Sequence, residues 1–233
     1  MKVSSTVVFC VLVVISSASS QAPESLKCSS DASIFLSHQP NWITLQKTCE
    51  DVMRHQVKTE IEAALTYMRM GAHFSKDTVN RPGFAKMFFE SANEEREHAF
   101  KIIKYLLMRG KNVADVSNDL KSLFPLNKKT VWFDGLEALN EALVLETTVT
   151  EAIDNIIQLC EKSCPKKAGC QDPKNDYHLV DYLTGEFLEE QFKGQRDLAG
   201  KVVTLEKMTS AFGGLGEYLF DKKLLNEEIP VLS

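Results

Sequence analysis

Apolar residues recur at helical spacing over four long stretches of the chain, and each stretch predicts an amphipathic helix. The first covers residues 44–74 and ends before Asn80-Arg81-Pro82-Gly83. The second starts at Pro82, a residue suited to a first helical turn, and stops at Gly110. The third covers 132–161 and the fourth 176–208. Gly213-Gly214 then break the chain, and a short amphipathic helix over 215–225 follows. Short connections join the first helix to the second and the third to the fourth, so each pair is antiparallel. The connection between the pairs, 111–131, is long enough to run the length of a bundle. The expected fold is all-α: a four-helix bundle with one long crossover plus a short C-terminal fifth helix.

The stripes that should form the core are interrupted by polar residues. The second helix reads Phe84, Phe88, Ser91, Glu95, His98, Ile102, Tyr105 in steps of four and three. The third reads Leu136, Leu139, Leu143, Glu146, Thr150, Ile153, Ile157, Cys160. The first gives Met53, Val57, Glu60, Ala64, Tyr67, and the fourth gives Val180, Thr184, Phe187, Gln191, Gly194, Leu198. Each polar group lies about midway along its helix. In an antiparallel bundle the midpoints share one level, so Glu60, Glu95, His98, Glu146 and Gln191 should converge. One glutamate on an apolar stripe is commonly a boundary residue that reaches water, and one histidine a satisfied core residue. Five such groups on four helices at one level call for another cause.

Burying ionised carboxylates costs several kcal/mol each, and three together repel, so a cation must compensate. Carboxylates with one imidazole and no thiolate suit a redox-active first-row metal better than structural zinc. Glu95 and His98 form a Glu-x-x-His pair at i, i+3, the element used by di-iron carboxylate bundles. The corresponding position on the fourth helix is Gln191, a neutral and poor ligand. One metal position is therefore expected to be well held and the other loosely held, as suits a centre that oxidises metal and passes it on.

The first residues change the picture of where the chain works. Lys2, an apolar run over 7–15 and Ala18-Ser19-Ser20 describe a secretory signal peptide, residues 1–20. The run is far shorter than the roughly 20 residues of a bilayer span. Cleavage would lower the net charge from −5 to −6 by removing Lys2, which argues against nucleic acid as a partner. It also removes Cys10 and leaves Cys28, Cys49, Cys160, Cys164 and Cys170. An odd count in an oxidising compartment predicts a free thiol or a bond to another chain. No histidine stands at zinc-ligand spacing around the 160–170 cluster, and no Asn-x-Ser/Thr sequon occurs. Residues 21–43 read as an N-terminal extension, 44–226 as the bundle and 227–233 as a tail.

Asn93-Glu94-Glu95-Arg96-Glu97-His98-Ala99 resembles the signature of ferritin heavy chains. The segments around Glu60 to Tyr67, Leu145-Glu146, Glu189-Glu190-Gln191 and Gly216-Glu217-Tyr218-Leu219-Phe220-Asp221-Lys222 resemble the same family. The signal peptide and the cysteine-bearing insert before Tyr177 resemble the heavy-chain homologues of secreted insect ferritins. The resemblance implies a ferritin-like form of the four-helix bundle and a ferroxidase: Fe2+ oxidised to Fe3+ by dioxygen at a di-iron centre, and ferric oxide deposited inside a shell. It implies that Glu60, Glu95 and His98 hold the first iron, with Glu95 bridging, and that Glu94 and Glu146 serve the second. Gln191 would hydrogen-bond a metal-bound water, and Tyr67 would line the site. Further copies of the chain and a ferritin light-chain homologue would complete a 24-subunit shell in the secretory pathway or extracellular fluid. Cys28 and the 160–170 cluster are the candidates for a disulfide to that light chain.

The chain departs from the family pattern at three places. Phe100 stands where heavy chains often carry a cavity-facing glutamate for mineral nucleation; Glu90, Glu94 and Glu97 share a face that could substitute. Asp181 matches the first acid of the family's three-fold iron channel, but Thr184 stands at the second. Lys223 occupies a position where vertebrate heavy chains have histidine. Three other functions compete with the ferroxidase. A cytokine bundle has two long crossovers and no reason to bury converging carboxylates. A di-iron oxidase of organic substrates would need a second strong ligand set on the fourth helix. A light-chain-like structural subunit would not need the set from Glu60 to Gln191.

Overall fold

The computed structural model describes residues 45–111, 129–162 and 175–229. The signal peptide and N-terminal extension, Cys28, Cys164, Cys170, most of the crossover and the last residues of the tail lie outside the described residues. The described residues are helical, with no strand among them: α1 (Lys47–Phe74), α2 (Pro82–Met108), α3 (Gly135–Glu161), α4 (Tyr177–Leu183), α5 (Glu189–Phe212) and α6 (Gly214–Leu225). A π turn, Thr184–Leu188, joins α4 to α5, so the two together form the fourth bundle helix. None of these helices is long and apolar enough to cross a membrane.

The expected elements form. α1 begins at Lys47 rather than at 44, and there are three further differences. The third helix begins at Gly135 rather than at 132. Asp134 caps it by accepting from the Glu137 amide at 2.7 Å, and the Glu137 carboxylate reaches back to the Phe133 amide at 2.6 Å. That reciprocal cap fixes the start, and Trp132 lies outside it, buried against His73. The fourth helix is interrupted by the π turn and runs on to Phe212, where Gly213 at φ 58° ends it. The third difference is covalent. Cys49 on α1 and Cys160 on α3, both buried, form a disulfide with a Cα–Cα distance of 5.8 Å. This removes Cys160 from the candidates for a bond to another chain.

The core is divided in two. One half packs Met53, Val57, Ile102, Ile153, Leu179, Leu183 and Phe187 among others. The other packs Tyr67, Phe74, Phe84, Phe88, Leu139, Leu198, Leu205 and Phe220. Between Val57 and Tyr67 on α1, and between Ala92 and Ala99 on α2, the two halves meet at a polar level. Beyond the second half, α6 folds back onto α2 and α5. Asp221 on α6, fully buried, accepts from the Gly83 and Phe84 amides at 2.8 and 3.0 Å and so caps α2. A Cβ at Gly83 would lie 2.0 Å from the Asp221 carbonyl oxygen, so this approach requires glycine.

Candidate metal centre

Helical spacing brings polar side chains from every bundle helix, two of them from α2, to the junction between the two core halves. Glu60 is fully buried, and Glu95, His98 and Gln191 are nearly so. Glu60, Glu95 and His98 each offer a ligand atom, and these atoms lie within 4.8 Å of one another. His98 Nδ1 stands 3.3 Å from Glu95 Oε2 and 4.0 Å from Glu60 Oε2. One turn before Glu60 on α1, the buried Gln56 donates its amide to Glu60 Oε1 at 2.9 Å. Glu60 Oε2, equally buried, has no hydrogen-bond partner. A buried oxygen left unpaired beside another carboxylate and an imidazole is what a cation would satisfy.

Glu146 is half-buried and accepts a hydrogen bond from the Tyr67 hydroxyl, which crosses from α1 to α3. Thr150, one turn on, holds the Gln191 amide at 2.8 Å and also accepts from the Gln195 amide. A cavity of about 140 Å³ opens beside these groups. Tyr67, Glu94, Glu95, His98, Glu146 and Gln191 line it. Glu94 is exposed at its edge. Asp181 is elsewhere: it sits on the exposed side of α4 and does not line the cavity.

Burial without a compensating cation favours the protonated form of these carboxyls. Burial pushes Glu60 well above the usual carboxylate range, and the nearby Glu95 charge pushes it further. Burial and the Glu146 charge raise Glu95 to about 8. Burial also raises Glu146, and it raises the Tyr67 hydroxyl well above its ordinary value, with the Glu146 charge adding to it. The donor set of three carboxylates, one imidazole and no sulfur is that of a hard or borderline divalent metal.

Sequence reasoning missed three residues at the site. Gln56 carried a signal, since it precedes Glu60 by one turn, but glutamine is common on solvated faces. Gln195 supports Thr150; it stands four residues after Gln191 and three before Leu198, but the stripe passes through its neighbour Gly194. Glu190 brings Oε2 to 3.5 Å from His98 Nε2 and pairs with Lys101 at 3.1 Å, from a half-exposed position.

A family model described as a ferritin-like domain matches residues 50–208. The ferritin heavy chain of Papilio xuthus is 56% identical over 189 residues, covering 81% of this chain and 84% of its own. That of Drosophila melanogaster is 51% identical over 184 residues, covering 79% and 84%. Among solved structures, the secreted ferritin of Trichoplusia ni superposes with a TM-score of 0.71 at 53% identity, over 81% of this chain and 94% of that one.

Proposed function

The chain belongs to the ferritin family, and from that premise we propose that it is an iron-oxidising subunit of a secreted storage shell. The observation that carries this reading is the convergence of Glu60, Glu95 and His98, with a buried unpaired oxygen, beside a cavity walled by Glu94, Glu146 and Gln191. Iron is the substrate. Glu60, Glu95 and His98 bind one ferrous ion, with Glu95 shared, and Glu94 and Glu146 bind the second.

The residues prepare the ions for electron transfer in three ways. Glu60 and Glu95 hold protons until ferrous iron displaces them, so the buried negative charge forms only when the compensating cation arrives. Gln56 and Tyr67 fix the orientations of Glu60 and Glu146. Gln191, neutral and held by Thr150, contributes a weak grip, so ferric product leaves. Each ferrous ion gives one electron, and dioxygen takes two. Asp181, on the outer side of α4, serves iron entry rather than oxidation.

The relatives support the wider reading. The solved relative of Trichoplusia ni is a secreted ferritin, and the family membership places this chain in a shell of copies; a light-chain homologue as partner and a count of 24 subunits are part of the proposal. Large apolar side chains exposed on the described residues, such as Phe133, Val144 and Phe212, fit burial in such an assembly.

Aerobic oxidation of Fe2+ by the assembled protein tests the proposal against a Glu60→Ala/His98→Ala variant. Rapid oxidation by the wild type, consuming one dioxygen per two ferrous ions at first, and none above background in the variant, is the expected result. Equal rates would assign the chain to a structural role instead.

A further inference from the structure

One feature of α2 has no part in binding iron. Tyr105 belongs to the apolar stripe of α2, yet its buried hydroxyl is the hub of a polar network. Arg109 donates to that hydroxyl at 2.7 Å while holding Asp176 through two further bonds of 2.9 and 2.7 Å. A guanidinium only donates, so the Tyr105 hydrogen is free for its other neighbour, His178 Nδ1, at 3.0 Å. His178 is exposed, so the proton on its other ring nitrogen has a route to water. Burial raises the Tyr105 hydroxyl to about 12, although Arg109 opposes the shift. Tyr105 therefore does not ionise at neutral pH, and its proton leaves only when an electron leaves too.

Aromatic rings connect this hydrogen-bonded pair to the metal centre without a gap. The Tyr105 ring stacks on Tyr182 with centroids 4.3 Å apart. Tyr182 meets Phe187 edge-on at 5.8 Å, and Phe187, in the π turn, lies 5.6 Å from the ring of His98. Phe187 is fully buried. Contiguous π systems shorten each tunnelling gap, and tyrosine is the residue among these that yields an electron most easily.

We propose that Tyr182 and the Tyr105–His178 pair form an electron relay that supplies single electrons to the metal centre when an oxidant there exceeds the electrons bound ferrous iron can give. The inference rests on the oxidation of iron at Glu60, Glu95 and His98. The oxidant is hydrogen peroxide, the two-electron product of dioxygen. With one ferrous ion bound, peroxide receives one electron from iron and a second from Tyr105 through Tyr182. The O–O bond breaks, two protons from solvent complete two waters, and iron becomes ferric. The Tyr105 proton passes to His178 Nδ1 and His178 releases its other ring proton to solvent, leaving a neutral phenoxyl radical at Tyr105. A strong oxidant is thereby quenched at a buried ring instead of damaging iron ligands.

The test uses the assembled full-length protein, loaded anaerobically with one ferrous ion per subunit and mixed with one equivalent of hydrogen peroxide. Samples frozen at intervals are read by electron paramagnetic resonance, and iron oxidation is followed in parallel. Tyr67 is the nearer tyrosine, so the comparison is made in a Tyr67→Phe background. A tyrosyl signal that persists in Tyr67→Phe, is lost on adding Tyr105→Phe and is delayed on adding Tyr182→Phe supports the relay. No signal in Tyr67→Phe, or the same signal in all three, overturns it. Peptide mass spectrometry of turned-over wild type reads the relay without any variant. Oxygen addition at Tyr105 or Tyr182 supports it, and its absence from both overturns it. Wild type that oxidises iron no faster than Glu60→Ala/His98→Ala removes the ferroxidase reading and the relay with it. Fast oxidation without a radical removes the relay alone.

Discussion

Gln56 donates to Glu60 across one turn of α1 at 2.9 Å, with both side chains buried, and leaves only Glu60 Oε2 unpaired. The amide fixes the carboxyl plane before any metal arrives. Gln56→Leu keeps the volume but removes a hydrogen bond to a group that becomes charged, worth about 1.5–3 kcal/mol. Ferrous affinity at the first position should fall by about tenfold to a hundredfold. Anaerobic calorimetric titration measures this, and unchanged affinity would reduce Gln56 to a packing residue.

The protonated carboxyls make the metal-free protein sensitive to pH in an unusual direction. A glutamate whose folded value is about 8, against an ordinary 4.5, keeps its proton when the unfolded chain has lost it. Its contribution to stability is therefore full below about 4.5 and is lost as pH rises through about 8. Metal-free protein should lose thermal stability between these values, by on the order of several kcal/mol per subunit at most. Adding Fe2+ anaerobically should restore it, with proton release, because binding takes the same protons off. Glu95→Gln should flatten the pH slope of Tm. A slope unchanged by that substitution would assign the effect to other groups.

The sequence made much of this centre legible because helical period and bundle topology act together. Glu60, Glu95, His98 and Gln191 each stand on an apolar stripe, and equal helix lengths align their midpoints. What escaped were features set by distant contacts or by backbone register. The π turn at Thr184–Leu188 contains no proline, and nothing lies within 4 Å of a Cβ placed on Gly185, so no local steric signal marks it. The start of α3 depended on Asp134 capping ahead of the apolar period. The Cys49–Cys160 pairing joins residues 111 apart, and spacing alone could not select it among the alternatives.

Asp221 ties the last helix to the start of α2, through contacts to residues 137 and 138 positions earlier. Asp221→Ala would leave the Gly83 and Phe84 amides buried without an acceptor, at a cost of about 1–3 kcal/mol. The expected result is a lower Tm and faster hydrogen exchange at those two amides and along α6, with the metal centre unaffected. Gly83→Ala should cost more, since its Cβ meets backbone rather than a side chain that can move. Exchange rates that stay the same in Asp221→Ala would show that packing of Phe220 and Leu224 alone holds α6.

The Cys49–Cys160 bond closes a loop that contains α2 and the crossover, and its stabilisation comes chiefly from restricting the unfolded chain. A loop of that size corresponds to about 4–5 kcal/mol in the chain-entropy account, an upper bound if the unfolded state keeps structure. Both sulfurs are buried between α1 and α3, so the bond should resist mild reductants that reach exposed disulfides. Peptide mapping without reduction should recover Cys49 joined to Cys160. Cys49→Ser/Cys160→Ser should lower Tm while leaving any covalent link to a partner chain intact, because that link must use Cys28, Cys164 or Cys170. Loss of the interchain link in this double variant would return Cys49 or Cys160 to the interchain candidates.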